Sequence, residues 1–177
     1  MLILLVGLTS SGKSTAADIL SEMGFSVAST GDVIRDEIKN RGWQYNKEND
    51  VRVSRWFNEE AGEKEVIKRL RSNLQGDKKV IDGIRSHEML EKLVEYFGEN
   101  PVIIAIRADS ESRYLRECER KKFTGFTRED MEKRDDAHLK MGTGEMMKMA
   151  DYTIDNTSLT KEELRKELKS ILDDINI

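Results

Sequence analysis

The sequence has little of what builds disulfides, zinc sites or rigid turns. Its 177 residues include one cysteine, one proline and two histidines. A single thiol cannot form an intramolecular disulfide, and one cysteine with two histidines cannot supply a four-ligand zinc site of the Cys/His type. These scarcities favour a chain held together by an apolar core, with the cytoplasm as its expected location.

Long hydrophobic runs are also missing. The apolar run at the N-terminus, Met1 to Val6, has no basic segment before it and is followed by Gly-Leu-Thr-Ser-Ser. A membrane span needs about 20 apolar residues, and a secretory signal needs a longer apolar stretch than this one. We therefore expect neither a membrane span nor a signal peptide.

The chain lacks an excess of positive charge. Lys and Arg number 30 against 34 Asp and Glu, which gives a formal net charge of -4 and an isoelectric point near 5.4. A dedicated nucleic-acid-binding domain normally concentrates basic residues and has a high isoelectric point. Nucleic acid is therefore an unlikely partner, although a local basic pocket for phosphates is compatible with this balance.

Short β-rich runs alternate with longer helical patterns along the chain, which is typical of βαβ units around a parallel sheet. The length suits a single domain over residues 1–177. The sequence predicts five strands, at Leu2 to Val6, Phe25 to Ser29, Lys79 to Asp82, Val102 to Arg107 and Tyr152 to Asp155. Helices are predicted at 14–23, 31–40, 49–60, 63–75, 86–97, 110–121, 128–140, 144–150 and 160–174, the last beginning with the capping box Thr160-x-x-Glu163.

One motif carries the clearest chemistry. The segment Gly7-Leu8-Thr9-Ser10-Ser11-Gly12-Lys13-Ser14 matches G-x-x-x-x-G-K-[ST], directly after the first predicted strand and directly before a helix. Glycines let successive backbone amides point inward around a phosphate, and the helix N-terminus adds positive potential. Lys13 can then reach the outer phosphates of ATP, and Ser14 can ligate Mg²⁺. The nucleotide-binding residues predicted here are Gly7, Ser10, Ser11, Gly12, Lys13, Ser14 and Thr15.

Asp82 is the predicted acidic partner of this loop. It ends the short apolar strand Lys79-Val80-Ile81-Asp82, and ligands of open α/β sheets bind at the carboxyl ends of strands. Asp82 would then share an edge with the loop and, together with Ser14, hold Mg²⁺ or its waters.

Two segments resemble adenylate kinases. Ser29-Thr30-Gly31-Asp32-Val33-Ile34-Arg35 is similar to the segment in which a Thr and an Arg of those enzymes contact AMP, and Asp82-Gly83-Ile84-Arg85 is similar to their Asp-Gly-Phe-Pro-Arg segment, one residue shorter. The resemblance implies a three-layer P-loop kinase fold with an acceptor-binding helical region at about 31–75 and a short lid at about 120–128. It also implies acceptor contacts from Thr30, Arg35 and Arg85.

The C-terminal part resembles dephospho-coenzyme A kinases. Phe126-Thr127-Arg128-Glu129 and the stretch Ala150-Asp151-Tyr152-Thr153-Ile154-Asp155-Asn156 are similar to the loop-helix and the following strand of those enzymes. The resemblance places Asn156 near the nucleotide and implies arginines around the lid, for which Arg116, Arg120, Arg128 and Arg134 are candidates. Arg120 and Arg134 are the predicted catalytic arginines, together with Lys13 and Asp82, because guanidinium groups can neutralise charge on a transferred phosphoryl group.

Asp32 has two interpretations at this point. It could act as a general base toward an acceptor hydroxyl, or it could cap a helix that begins at Val33, which is the interpretation we favour. One stacking contact to an acceptor base is predicted among Trp43, Tyr45, Trp56 and Phe57. His87 and His138 show no partner in the sequence and are interpreted as structural.

The sequence as a whole predicts an ATP- and Mg²⁺-dependent phosphotransferase acting on a small nucleotide-like acceptor, with AMP or a similar monophosphate as the first candidate. Two alternatives stay open: a dephospho-coenzyme A kinase, which phosphorylates a ribose hydroxyl, and a nucleotide-binding sensor with little turnover.

Overall fold

The computed structural model describes residues 1–120 and 125–176. In these residues five parallel strands form one sheet: β1 (Leu2–Val6), β2 (Ser26–Ser29), β3 (Lys79–Asp82), β4 (Val102–Arg107) and β5 (Tyr152–Asp155). Their order is β2-β3-β1-β4-β5, with β1 at the centre. The predicted five-stranded parallel sheet is confirmed, and its only shift is that Phe25 lies just before β2 instead of within it.

Helices flank this sheet on both faces. They are α1 (Lys13–Glu22), α2 (Thr30–Asn40), α3 (Lys47–Trp56), α4 (Gly62–Ser72), α5 (His87–Phe97), α6 (Ser110–Glu119), α7 (Arg128–Lys140), α8 (Thr143–Lys148) and α9 (Lys161–Asp174). None of the helices in the described part of the chain is long and apolar enough to cross a membrane.

The central strand divides the core into two clusters. All five residues of β1 are fully buried, and alternate side chains of a strand point to opposite faces. Leu2, Leu4 and Val6 pack in the cluster that includes residues of α2, α4 and α5, whereas Ile3 and Leu5 pack against α1 and α9. The continuous apolar sequence of β1 thus follows from its burial on both faces.

The predicted helices at 49–60 and 63–75 join differently in the structure. A π-helical turn at Phe57–Ala61 connects α3 to α4, and Gly62 takes the left-handed φ of 76° at the junction. Val53 and Phe57 are both buried on the same side of this segment. The α4 helix then ends at Ser72, three residues earlier than predicted.

Capping side chains fix several helix starts, and one of them corrects a prediction. The Thr160–Glu163 capping box is present at α9. Helix α2 begins at Thr30 and is capped by Ser29, whose Oγ accepts a hydrogen bond from the Gly31 amide at 3.1 Å. The prediction that Asp32 caps a helix starting at Val33 is therefore wrong, because Ser29 at the end of β2 already supplies the capping oxygen.

The predicted acceptor-binding region at about 31–75 corresponds to α2, α3 and α4. The predicted lid at about 120–128 includes residues 121–124, which lie outside the described residues.

Candidate active site

The loop from Gly7 to Ser14 connects the central strand to α1 at the carboxyl edge of the sheet. Gly12 has a φ of 107° and Ser10 a φ of 59°, so the loop turns through conformations that are costly for residues other than glycine. Behind it, the Asn156 Nδ2 donates to the Ser11 carbonyl at 2.8 Å. A Cβ added to Gly12 would collide with this amide, so Asn156 supports the loop from outside and requires glycine at position 12.

Lys13 and Asp82 face each other across this edge, because β1 and β3 are neighbours in the sheet. Burial lowers the pKa of Lys13, and the same burial raises the pKa of Asp82, opposed by the positive charges of Lys13 and Arg85. The Lys13 Nζ donates to the Leu8 carbonyl at 2.9 Å, within its own loop. Burial thus disfavours the charged forms of both Lys13 and Asp82. A bound phosphate would provide a partner for Lys13, and the cation that accompanies it would provide one for Asp82.

The donor atoms at this edge fit a hard divalent cation such as Mg²⁺. Asp82 is 6% exposed, and its Oδ1 has no hydrogen-bond partner among the described residues. Ser14 is exposed at the start of α1 and lines the same cavity. A carboxylate and a hydroxyl are oxygen ligands of the kind Mg²⁺ takes, and phosphate and water normally complete its coordination. Ser14 and Asp82 are therefore the residues that would hold the ion.

The loop and Asp82 open into a cavity of about 530 Å³. Its walls come from the loop, the first two turns of α2, the α3 region, the end of β3, α6 and α7. The charged or titratable residues on these walls are Lys13, Arg35, Asp50, Arg55, Glu59, Asp82, Arg85, Glu117, Arg120, Arg134 and His138. Lys13 and five arginines thus share one cavity, which suits a ligand that carries several negative charges.

The predicted acceptor residues come from α2 and from the segment after β3. Thr30 Oγ1 donates to the Gly83 carbonyl at 3.1 Å, which joins the start of α2 to the end of β3. Arg35 lines the cavity while pairing with Asp32 at 2.5 Å. Arg85 lines it as well, and within the described residues no carboxylate lies within ion-pair distance of its guanidinium. Thr30, Arg35 and Arg85 are thus brought together.

Asp32 differs from the other three predicted acceptor residues. Its carboxylate is engaged by Arg35, one turn further along α2, and it is not among the described residues that line the cavity. This contact orients the Arg35 guanidinium, so Asp32 acts here through its neighbour.

The four lid arginines separate into two pairs. Arg120 and Arg134 line the cavity. Arg116 instead donates to backbone carbonyls, at 2.6 Å to Asn156 and 3.1 Å to Thr157. Arg128 forms a two-pronged ion pair with Glu111 on the exposed side of α6.

A second cavity, of about 360 Å³, lies on the other side of the loop. It is lined by Gly12, Thr15, Arg116, Glu119, Arg120, Asn156, Leu159, Thr160, Lys161 and Leu164. Thr15 and Asn156, both predicted to bind the nucleotide, lie here instead of in the main cavity. Arg120 borders both spaces, so a ligand could reach from one to the other past the loop.

A third cavity, of about 440 Å³, extends the acceptor wall away from the loop. It shares Thr30, Ile34, Ser54, Gly83, Arg85 and Met141 with the main cavity. Its remaining lining includes the apolar side chains of Val33, Phe57, Val66 and Met89, together with Glu63, Glu88 and Lys92. The space can take an apolar or aromatic group next to the cationic wall.

Comparisons with known proteins identify the family and the fold of this chain. Residues 3–139 match the family model described as an AAA domain. The chain is 34% identical to a UPF0200 protein of Thermococcus kodakarensis over 99% of its own length and 98% of the relative. The chain belongs to the UPF0200 family and carries an AAA domain. It is also 35% identical to a UPF0200/UPF0201 protein of Archaeoglobus fulgidus, of which it spans about half the length, 53%.

Among solved structures, shikimate kinase from Bacteroides thetaiotaomicron superposes with a TM-score of 0.67 at 12% identity, over 100% of this chain and 99% of that one. At this identity the likeness shows the fold alone: the UPF0200 chain has a P-loop kinase fold. The closer likeness to adenylate kinases and dephospho-coenzyme A kinases stays a prediction.

His138 of this UPF0200 chain lines the main cavity, a position the sequence did not indicate. Burial, together with the charges of Arg85, Lys13, Arg134 and Arg113, lowers its pKa to about 2. It therefore presents a neutral imidazole among cations. Its place in a strongly charged stretch of α7 gave no signal of this in the sequence.

Arg113 and Glu117 of α6 are buried beside the loop and were not among the predicted site residues. Arg113 pairs with Asp135 of α7 through two hydrogen bonds, of 2.9 and 2.6 Å, and donates to the Thr9 carbonyl at 3.2 Å. Glu117 accepts a hydrogen bond from Ser10 Oγ at 2.5 Å. The i, i+4 spacing of the two charged residues was the available signal, since it puts both on one face of α6.

Of the four predicted aromatic candidates, Tyr45 lines the main cavity. Trp43 and Trp56 pack against the core, and Phe57 is buried within it while also bordering the third cavity. The Tyr45 hydroxyl donates to Asp50 Oδ1 at 3.2 Å. Its ring is therefore the candidate for a stacking contact in the main cavity.

Proposed function

We propose that this protein transfers the γ-phosphoryl group of ATP to a nucleotide-like acceptor in the cytoplasm, with AMP or a related nucleoside monophosphate as the first candidate. The observation that carries the proposal is the distribution of cations in the main cavity. Lys13 lies at the start of α1 and Arg120 at the end of α6, whereas Arg35 lies on α2 and Arg85 follows β3, and all four line this cavity. Cations that come from four different elements and meet in one cavity suit a donor phosphate together with an acceptor phosphate.

The loop end supplies the donor site of the proposal. Backbone amides between Ser10 and Ser14 and the Lys13 ammonium would bind the β- and γ-phosphates. Ser14 and Asp82 would hold Mg²⁺, which neutralises charge on the phosphates when bound. The second cavity, with Thr15 and Asn156, lies where the nucleoside of ATP can extend past Arg116 and Arg120.

Helix α2 and the segment after β3 supply the acceptor site. Arg35 and Arg85 would bind the acceptor phosphate, with Thr30 fixing the junction between them. The acceptor base would enter the apolar third cavity or stack on Tyr45. Arg120 and Arg134 line the same cavity, so they would neutralise charge as the phosphoryl group moves.

The state of Asp32 favours a phosphate over a hydroxyl acceptor. A kinase acting on a ribose hydroxyl needs a base aimed at that hydroxyl, whereas the Asp32 carboxylate is bonded to Arg35. This observation supports a monophosphate over dephospho-coenzyme A.

Phosphorus NMR of the purified protein tests the proposal. The protein is incubated with Mg²⁺-ATP and, one at a time, AMP, other nucleoside monophosphates and dephospho-coenzyme A. We expect a new β-phosphate resonance with one monophosphate, and a rate on the order of a hundredfold lower for Lys13→Ala. Transfer to dephospho-coenzyme A alone would contradict the monophosphate assignment, and tight ATP binding without transfer to any of these acceptors would support a sensor instead.

The separate acceptor site has its own variant. Arg35→Ala should weaken binding of the accepted monophosphate by roughly tenfold or more through the lost charge-assisted hydrogen bonds, while ATP affinity stays near wild type. Calorimetric titration of both ligands measures this. Equal losses for both ligands would argue against two sites.

A further inference from the structure

Glu117 is a buried carboxylate in the wall of the main cavity. Its side chain is 2% exposed. It accepts a hydrogen bond from Ser10 Oγ, and its carboxylate oxygens lie 3.4 Å from Arg134 Nη1 and 3.9 Å from Arg120 Nη1. One carboxylate therefore contacts the phosphate-binding loop and both arginines proposed to act on the transferred phosphoryl group.

A carboxylate at the position of Glu117 does not favour nucleotide binding. A carboxylate removed from water requires nearby positive charge or hydrogen bonds. It also repels any anion bound to the adjacent loop, and it competes with that anion for the same two guanidinium groups. An acid at this point therefore weakens phosphate binding in the ground state.

The same contacts organise the site. Ser10 is the one residue other than glycine in the Gly7–Ser14 loop with a left-handed φ, 59°, and its hydrogen bond to Glu117 helps to hold that conformation. Arg134 comes from α7 and Arg120 from the end of α6, so Glu117 brings cations from two elements to one point beside the loop. Held groups lose little freedom when the transition state forms.

We propose that Glu117 is a positioning residue for phosphoryl transfer, which holds Arg120 and Arg134 beside the loop at the expense of nucleotide affinity. The inference rests on the proposed function. Under that function, the guanidinium groups of Arg120 and Arg134 remain beside Glu117 until the phosphates of ATP bind them. Glu117 then fixes the direction from which both groups approach the phosphates, and Ser10 stays hydrogen-bonded to it.

The variant Glu117→Gln separates this role from a merely structural one. Glutamine keeps the size of the side chain and an oxygen that can accept from Ser10, but it removes the charge. We expect Mg²⁺-ADP and Mg²⁺-ATP to bind several-fold more tightly, because a buried negative charge beside the phosphates is gone. We expect kcat to fall by roughly tenfold, because the arginines are no longer held in place. A structural defect would weaken binding and turnover together.

Calorimetry with Mg²⁺-ADP and steady-state phosphoryl transfer measure the two effects. Glu111→Gln is the matched control, since Glu111 lies on the same helix and pairs with Arg128 outside the cavity. It should change neither quantity. Unchanged or weaker nucleotide binding in Glu117→Gln, at an unfolding temperature near that of wild type, would overturn the proposal.

A second variant covers the case in which Glu117→Gln does not fold. Ser10→Gly removes the hydrogen bond to Glu117 without a steric penalty at φ 59°, and it leaves the carboxylate with its two arginines. Nucleotide affinity should then not rise, and a rise of several-fold would contradict the charge-based argument. Absence of transfer by wild type would refute the proposed function and with it the positioning role. The response of nucleotide affinity in Glu117→Gln would then still decide whether the Glu117 charge opposes nucleotide binding.

Discussion

Helices α6 and α9 show opposite relations between sequence and burial. In α9, the buried residues are Leu164, Leu168, Ile171 and Leu172, as its apolar spacing predicts. In α6 the buried residues are Arg113 and Glu117, while Leu115 is 51% exposed. A helix next to the phosphate-binding loop buries the charges that hold the loop, so hydrophobic periodicity describes the scaffold and fails at the site.

The largest expected effect on stability comes from removing the buried Arg113 side chain of α6. Arg113→Ala leaves Asp135 and the Thr9 carbonyl without their donor, and removal of one member of a buried ion pair costs about 3–5 kcal/mol. We expect a loss of that size in the free energy of unfolding, measured by urea denaturation. Arg128→Ala is the control, because its ion pair with Glu111 is equally two-pronged but exposed. Equal effects from both variants would remove the distinction between the two kinds of arginine.

A core leucine of α9 tests the other half of the comparison. Leu168 is fully buried, and truncation of such a leucine to alanine costs about 2–5 kcal/mol. Leu168→Ala should therefore lower the free energy of unfolding while nucleotide affinity, measured by calorimetry at low temperature, stays near wild type. Leu115→Ala on α6 should change stability little. A large loss from Leu115→Ala would show that the apolar side of α6 has a packing role.

The buried cations of the site should also make stability depend on pH. The pKa of His138 is lowered to about 2 in the folded protein, from 6.5, so below pH 6.5 the unfolded chain binds a proton that the folded chain does not. Stability from this residue is therefore present above pH 6.5 and is lost as the pH falls toward 2. Thermal unfolding of His138→Asn between pH 7 and 5 should show a shallower decline than wild type. Parallel curves would mean that the imidazole is protonated within the fold.

The smallest expected effect concerns the capping box of α9. Thr160→Ala removes the hydrogen bond from the Glu163 amide to Thr160 Oγ1, and loss of such a cap costs about 1 kcal/mol. Thermal unfolding should show a shift of a few degrees, and Thr160→Ser should recover most of it. No shift in the alanine variant would indicate that packing of Leu164 and Leu168 alone fixes this helix.

The sequence was sufficient wherever local patterns carry the information. The strand ends agreed with prediction except at Phe25, because apolar runs bounded by turn residues mark buried parallel strands. The Gly7–Ser14 loop followed from its spacing, and Asp82 followed from its place at a strand end. Asp32 was misassigned because Ser29, three residues earlier, competes for the same capping role.

What the sequence could not supply were contacts between distant segments. The partner of Arg113 lies on another helix, and Arg116 binds carbonyls of Asn156 and Thr157 after β5. By spacing, both arginines share a helix face with Arg120. Among the described residues, however, Arg120 is the one of these three that lines the main cavity. Tertiary structure decides whether an arginine already donates its hydrogen bonds to backbone carbonyls and is therefore not available to a ligand.

The central position of β1 has a consequence for how the protein forms. Strand β1 is synthesised before its partners β3 and β4, whose paired positions begin at Lys79 and Val102. Synthesis must therefore reach Asn156 before the phosphate-binding loop has both flanking strands and this residue behind it. Pairing between such distant segments is slow, and an apolar strand waiting for its partners is prone to aggregate. We therefore expect nucleotide to stabilise only nascent chains that extend through Asn156.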